Sequence, residues 1–230
     1  MNVKGRYLKS DQISVDKLTA LSQEPWLKSQ FGDPQRFPAV SGRLNELISL
    51  TKANVAKVMA LGNDETRMPA DLHHTAKTIA EATALAIRTV SAEVKAKGED
   101  MMLAGRDMAE EAFAPRPGYS QLDSEIRLWM KEKVKSPEGL GEVAQMLKQE
   151  PAIAGIVYHS PHYLLGIAKT IQAKWQAEAV SSHLPKAAQM LEDGDSLVAL
   201  SKKYEGVVRD IHQSFYDQGT ADKMKTRVEV

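Results

Sequence analysis

The sequence predicts an all-α protein: a multi-helix bundle with an extended N-terminal arm and a short C-terminal tail. Apolar residues recur at three- and four-residue spacings over most of the chain, which is typical of amphipathic helices. Breaks that contain proline or glycine separate these periodic segments, and no strand of substance is visible before the tail. With 230 residues, of which 43% are hydrophobic and 26% charged, the chain is long enough to bury a sizeable core.

The breaks divide the chain into four regions. We expect an irregular N-terminal arm over residues 1–40, a long-helix region over 41–114, a C-terminal helical region over 119–218 and an extended tail over 219–230. The internal boundary lies at the segment PRPGYS, residues 115–120, because proline cannot continue a helix and glycine permits a turn.

The arm carries aromatic residues among its prolines and glycines, namely Trp26, Phe31 and Phe37. One short helix is predicted from Ser14 to Ser22, and the remainder is expected to be irregular because proline disfavours helix before it. Two interpretations stay open. The arm either folds onto its own domain, or it docks on a neighbouring subunit through the three aromatic side chains.

The tail after Gly219 reads TADKMKTRVEV and has no helix-long apolar stripe. Its end alternates as a strand or an extended peptide does, and extended termini can wrap a partner or add to the edge of its sheet. The tail residues expected to contact a partner are Arg227, Val228 and Val230.

In the long-helix region, two helices are predicted, and a shorter periodic segment follows them. The first begins at Ser41 and stops at Gly62, and the second runs over Pro69–Lys97. Gly98 is expected to break the pattern, which resumes over Met101–Ala114. Heptad-spaced residues on the second helix form a seam of mostly small side chains: Leu72, Ala76, Ile79, Thr83, Ala86 and Val90. This seam predicts either packing within the chain or a contact between subunits.

The C-terminal region reads as a run of shorter helices. They are predicted over 120–134, from Pro137, from Pro151 to near Tyr158, from Ser160 through Trp175 towards Val180, over His183–Leu191 and over Ser196–Tyr216. The last one carries an apolar stripe at helical spacing, made of Leu197, Leu200, Tyr204, Val207, Val208, Ile211 and Phe215.

Two pairs of histidines are candidates for metal binding. His159 and His162 have HxxH spacing, but a serine and a proline between them interrupt the helix that would align them, and no HExxH motif is present. The alternative is that they form a helix junction. His73 and His74 point about 100° apart on a helix, so they do not converge on one ion, and His73 is expected to face solvent.

A basic stretch lies on the helix that begins at residue 120. Arg127, Lys131, Lys133 and Lys135 occur there together with Trp129. These side chains suit contact with phosphate groups or with an acidic protein. Alternatively, they form a solvated basic end that complements the helix dipole.

Composition excludes several classes of function. The 30 basic and 30 acidic residues give a formal net charge of zero, so contact with nucleic acid is possible but not indicated. The chain has no cysteine, which excludes disulfides and thiolate metal sites. The sequence MNVKGRYLKSDQ shows no signal peptide, and no apolar run is long enough to cross a membrane. Nucleotide-binding and nucleophile motifs are absent, and no catalytic residue, metal or cofactor is predicted.

One stretch of the second half carries a family resemblance. Over residues 151–212 a short apolar helix is followed by SPHYLLGI, another helix, SHLPKAAQ and a long helix. The elements that carry the pattern are Ser160, Pro161, Tyr163, Leu164, Leu165 and Gly166, and later His183 and Pro185. This order resembles small helical proteins encoded in the structural gene modules of tailed bacteriophages. The sequence departs from that pattern at His162 and at Leu184.

The resemblance implies a virion or assembly component and no catalytic residues. We therefore expect a non-enzymatic structural protein, made in the bacterial host cytoplasm, that binds other virion proteins and copies of itself. Its place would be the head-to-tail junction, as a connector component, or the inside of the capsid. The alternatives are a transient scaffold or chaperone-like factor, and a helical enzyme or metal-binding protein that uses His159 and His162.

Overall fold

A computed structural model describes residues 7–226 and is all-α, with no strand in that part of the chain, which confirms the predicted fold class. The helices are α1 (Val15–Leu21), α2 (Glu24–Phe31), α3 (Ser41–Leu61), α4 (Pro69–Ala112), α5 (Ser120–Lys133), α6 (Pro137–Gln149), α7 (Pro151–His159), α8 (His162–Leu165), α9 (Lys169–His183), α10 (Pro185–Ser201), α11 (Tyr204–Phe215) and α12 (Gln218–Asp222). Short 3₁₀ segments cover Pro38–Val40 and Lys223–Thr226.

The chain divides into two units. The first comprises Met1–Gly98 together with Ser196–Val230, and the second comprises Glu99–Asp195. Both boundaries fall inside helices, because α4 continues past Gly98 and α10 continues past Asp195. The predicted boundary at 115–120 is a loop between α4 and α5 within the second unit.

In the first unit, residues 7–40 of the predicted arm contain two helices. The helix expected at Ser14–Ser22 is present as α1, but the irregular stretch expected after it contains α2. Pro25 lies in the first turn of α2, where its missing N–H costs no helical hydrogen bond, so this proline begins a helix instead of preventing one. Helix α1 packs on α11 and α2 packs on α3, which makes the segment part of the core.

Phe31 and Phe37 are core residues of this unit, with exposed fractions of 0% and 7%. The Phe31 ring meets the Tyr204 ring edge to face at 5.2 Å, and the Tyr204 hydroxyl donates a hydrogen bond of 2.8 Å to the Phe31 carbonyl. Gly32 ends α2 with φ of 100°, a conformation open to glycine. These contacts support the interpretation in which the arm folds onto its own domain.

Helix α4 corrects two expectations. It passes through Gly98 without a break, because glycine in a helix interior costs only about 1 kcal/mol relative to alanine. The buried seam includes Ala76, Thr83 and Val90 as predicted, but its second row is displaced by one residue. That row consists of His73, Ala80, Ile87 and Val94, whereas Leu72, Ile79 and Ala86 are only partly buried.

The second unit packs α5, α6, α7 and α9 around a core that includes Met130, Val143, Leu147, Val157 and Trp175. The predicted start of α6 is confirmed, since the Ser136 hydroxyl accepts a hydrogen bond of 3.1 Å from the Gly139 N–H.

The helix predicted from Ser160 through Trp175 is two helices. Gly166 ends α8 with φ of 71°, in the left-handed region, and α9 begins at Lys169. The two final helices also have a different boundary from the predicted one. Helix α10 continues through Gly194, and the break lies just before Tyr204 instead. The predicted apolar stripe of the last helix is buried throughout.

The predicted extended tail is helical where the structure describes it. Asp217 caps α12, because its side chain accepts a hydrogen bond of 2.6 Å from the Thr220 N–H, and the 3₁₀ segment follows directly. The sequence pattern did not reveal this short helix, since it is too brief to show a periodic stripe. Arg227, Val228 and Val230 lie outside the described residues.

His73 is buried, with 1% of its surface exposed, where the sequence predicted exposure. The Asp217 N–H donates to its Nδ1 at 3.0 Å, so this nitrogen must be unprotonated. Burial lowers the pKa of His73 below its ordinary value of 6.5, and the Asp217 carboxylate and a hydrogen bond with the Lys9 backbone offset this only in part.

We predict that acid destabilises the protein through His73. Because the folded-state pKa is lowered, the unfolded chain binds the proton more readily, and stability present above about pH 6.5 is lost as the pH falls below it. Urea unfolding at several pH values between about 7 and 5 measures this slope. His73→Gln is expected to reduce the slope, and His74→Gln, at the exposed neighbour, to leave it unchanged. Equal slopes in both variants would contradict the assignment.

Candidate functional site

The second unit carries a cleft of about 400 Å³, which we call the basic cleft. It is bordered by the end of α4 and the loop after it, by α5, by α7 and by the start of α8. Its polar lining consists of Arg116, Asp123, Arg127, His159 and Ser160, and its apolar lining includes Phe113, Pro115, Ile156, Pro161 and Leu164.

Arg127 is fixed in the basic cleft at one end of its guanidinium. Its Nε donates a hydrogen bond of 3.0 Å to the Ser160 hydroxyl, and Ser160 itself is only 5% exposed. Among residues 7–226 no carboxylate forms an ion pair with Arg127, and its two terminal nitrogens donate to no protein acceptor. The guanidinium is therefore positioned, charged and open to an anionic group.

Arg116 differs because its charge has a partner. Its Nη2 lies 3.4 Å from the Asp123 carboxylate, whose side chain is 12% exposed, and its guanidinium stacks over the Tyr119 ring at 4.6 Å. Asp123 thus offsets the charge of Arg116, and the positive charge that remains uncompensated in the cleft belongs to Arg127.

Helix α9 fixes the end of α7 that forms one wall of the cleft. The Gln172 side-chain amide donates to the carbonyls of Val157 and Ser160, at 3.1 and 2.6 Å, and the Gln176 amide donates to the Tyr158 carbonyl at 2.9 Å. Carbonyls in the last turn of a helix lack intrahelical partners, so these amides satisfy them. Ser160, the anchor of Arg127, is held in place by this arrangement.

The predicted histidine pair is separated by the turn between α7 and α8. His159 is exposed at the end of α7, and His162 begins α8 with its ring against Tyr163 at 5.8 Å. Among the described residues, no group of three or more histidine, aspartate or glutamate side chains is arranged to hold a metal ion. The metal-binding alternative therefore has no third ligand in that part of the chain.

His159 also lines a second cleft, of about 810 Å³, which we call the acidic cleft. Glu110 and Glu192 lie in it together with Tyr158. Burial raises the pKa of the Tyr158 hydroxyl, and the Glu110 carboxylate raises it further. Its carboxylates give this cleft the opposite charge character to the basic cleft.

Large apolar side chains are exposed on the α5 and α8 side of the second unit. Helices α5 and α8 pack against each other, and Leu128 and Tyr163 have exposed fractions of 66% and 65%. Tyr119, Leu122 and Leu164 are exposed as well, and Leu164 also lines the basic cleft. Exposed large apolar side chains are typical of a protein-binding surface.

The sequence-predicted contact residues that the structure describes differ in their exposure. Trp26 is partly exposed on α2, whereas Phe31 and Phe37 are buried in the first unit. Of the predicted basic stretch, Arg127 lines the cleft and Lys131 is exposed outside it. Lys133, at the end of α5, pairs with Glu142, and Lys135, just after α5, pairs with Glu132. The sequence did not reveal Arg116 and Asp123 as site residues; their seven-residue spacing across a loop gave no recognisable signal.

No protein-family model matches this chain, and comparisons with curated proteins and with solved structures also gave no match. No helix within residues 7–226 has the length and apolar character needed to cross a membrane.

Proposed function

We propose that this chain is a non-enzymatic structural or assembly protein that works by binding other proteins. The observation that carries the proposal is the set of large apolar side chains exposed on α5 and α8. Leu128 and Tyr163 are each about two-thirds exposed on helices that pack together. Burying such side chains against a partner contributes roughly 25 cal/mol for each Å² removed from water, which favours association.

More specifically, we propose a component of a tailed-phage virion, at the head-to-tail junction or inside the capsid. The support is the resemblance over residues 151–212, which includes α7, α8 and α9 of the second unit and so overlaps the site. The partners would be other virion proteins and further copies of this chain. A transient scaffold or chaperone-like factor would use the same surface but leave the mature particle.

We expect substitution of the exposed apolar residues to weaken association. The double variant Leu128→Ser, Tyr163→Ser removes two large exposed side chains. We expect the wild type to form species larger than one chain, and we expect the measured mass of the variant to be lower, close to the 25.3 kDa of a monomer. Light scattering during size exclusion, over a range of concentrations, measures this mass.

Helix α4 offers a matched control for that experiment. Leu85 and Leu103 are exposed to a similar degree, 67% and 59%, so Leu85→Ser, Leu103→Ser removes comparable apolar surface elsewhere. The control should associate as the wild type does. If the measured mass falls equally in both double variants, the α5 and α8 surface has no special role in association. If the wild type is a monomer at every concentration, the prediction of self-association is wrong.

A further inference from the structure

We propose that the basic cleft binds a carboxylate side chain of a partner protein, presented by an apolar segment and anchored by Arg127. The inference rests on the proposed protein-binding function and names the chemistry of the partner. Arg127 lines a cleft of about 400 Å³ in the second unit, and among residues 7–226 its charge has no carboxylate partner.

The geometry of Arg127 suits one carboxylate. Its Nε is already used by the Ser160 hydroxyl at 3.0 Å, which fixes the plane of the guanidinium. The terminal nitrogens then form a planar fork whose spacing matches the two oxygens of a carboxylate. Ser160 is 5% exposed and its carbonyl is held by Gln172, so the fork is oriented before a ligand arrives.

Charge in the cleft also limits the ligand to a single anionic group. Asp123 offsets Arg116, which leaves one uncompensated guanidinium. Arg127 is therefore complementary to one negative charge. A carboxylate bound there would form a charge-assisted hydrogen-bonded pair with the guanidinium, which is stronger than the hydrogen bonds that water makes to the free arginine.

The lining favours a protein segment over nucleic acid. Pro115, Pro161 and Leu164 line the cleft and are exposed, so the cation is accompanied by apolar surface that fits apolar side chains on either side of an acidic residue. Nucleic acid needs several cations that follow its phosphates. Lys133, at the end of α5, and Lys135, just after it, are paired with glutamates. Lys131 is exposed on α5 but does not line the cleft, so within the cleft Arg127 is the cation that no carboxylate of the described residues offsets.

The test uses two capped tripeptides as probes: acetyl-leucyl-glutamyl-leucinamide and the same peptide with glutamine in the middle. They differ only in the carboxylate. Titration into the full chain, followed by the ¹⁵N–¹H signal of the arginine Nε groups and by calorimetry, should show saturable binding of the glutamyl peptide at the Arg127 signal. Equal binding of the two peptides would overturn the proposal.

Two variants test whether the glutamyl peptide binds at Arg127. Arg127→Gln keeps a polar side chain but removes the charge, and it should weaken the glutamyl peptide by about ten- to a hundredfold, the usual range for a hydrogen bond to a charged group. Lys174→Gln removes one positive charge from a side chain of the same unit that is 75% exposed and does not line the cleft, so it should change affinity little. An equal loss in both variants, with both still folded by circular dichroism, would overturn the proposal.

Ser160→Ala tests the anchor without changing charge. It should weaken the glutamyl peptide less than Arg127→Gln does, because the fork remains but is no longer oriented. If Arg127→Gln fails to fold, the shift of the Arg127 signal in the wild type and the Ser160→Ala result still decide the question: no shift, or no loss in Ser160→Ala, would contradict the proposed geometry.

A third experiment distinguishes a carboxylate ligand from a phosphate ligand. Inorganic phosphate and a short single-stranded oligonucleotide are titrated under the same salt conditions. Tighter binding of either one at Arg127 than of the glutamyl peptide would replace the protein partner with a phosphate ligand. Failure of this inference is distinguishable from failure of the proposed function, because association through Leu128 and Tyr163 is measured independently of Arg127.

Discussion

Replacing Phe31 with alanine is expected to lower the free energy of unfolding by about 3–5 kcal/mol, the usual cost of removing a fully buried phenylalanine. The side chain is completely buried, and its ring packs edge to face against Tyr204. The cavity would open where α2 meets the core of the first unit. Urea unfolding followed by circular dichroism measures the loss.

The control is Leu85→Ala, on the exposed face of α4, where the side chain is 67% exposed. Changes at such positions usually alter stability by less than about 0.5 kcal/mol. If Phe31→Ala were as mild as the control, the N-terminal segment would be an arm that packs only loosely on its own domain, and Phe31 would again be available for a neighbouring subunit.

The second large effect is expected at Gly139, in the first turn of α6. A Cβ added there would lie 2.7 Å from the Lys133 carbonyl carbon and nearer still to its oxygen, and backbone atoms cannot move aside as a flexible side chain can. Gly139→Ala should therefore destabilise the second unit by about 3 kcal/mol, at the upper end of the usual cost of overpacking.

Gly141 is a matched control two residues further along the same helix. Apart from its chain neighbours and the backbone of its own helix, no atom of the described residues lies within 4 Å of the Cβ position there, so alanine adds helix propensity without a clash. Gly141→Ala should raise stability by about 0.5–1 kcal/mol. Thermal unfolding of both variants tests the pair, and effects of the same sign would contradict the close approach of α6 to the end of α5.

Much of the helical architecture could be predicted from the sequence, because long apolar stripes and strong end signals act locally. The helix from Ser41 to Gly62, the cap at Ser136 and the buried stripe of the last helices follow from such signals. The predicted helix boundaries were wrong where one residue type can have two different effects on a helix, depending on its position. A proline among glycines predicts irregular structure, but Pro25 lies in the first turn of α2 and begins that helix. Gly98 predicts the end of a helix, but α4 continues through it because glycine only weakens a helix interior.

The site was less accessible to sequence reasoning because its members meet only in space. The sequence does place Arg127 in a basic stretch. It does not show that the nearby glutamates Glu132 and Glu142 pair with lysines and not with Arg127, because this depends on the folded positions of these side chains. The pairing of Arg116 with Asp123 depends on the conformation of the loop before α5. The anchoring of Arg127 by Ser160 depends on the packing of α5 beside α7. No local pattern encodes such contacts.

The measurement that tests the proposed virion role most directly is the protein content of phage particles released by cells that carry this gene. Immature and mature particles would be separated by density, and this chain quantified by mass spectrometry relative to the major capsid protein. We predict that it sediments with both kinds of particle at a constant ratio. Its presence in immature particles alone would indicate a transient scaffold, and its absence from particles at every stage would contradict the account.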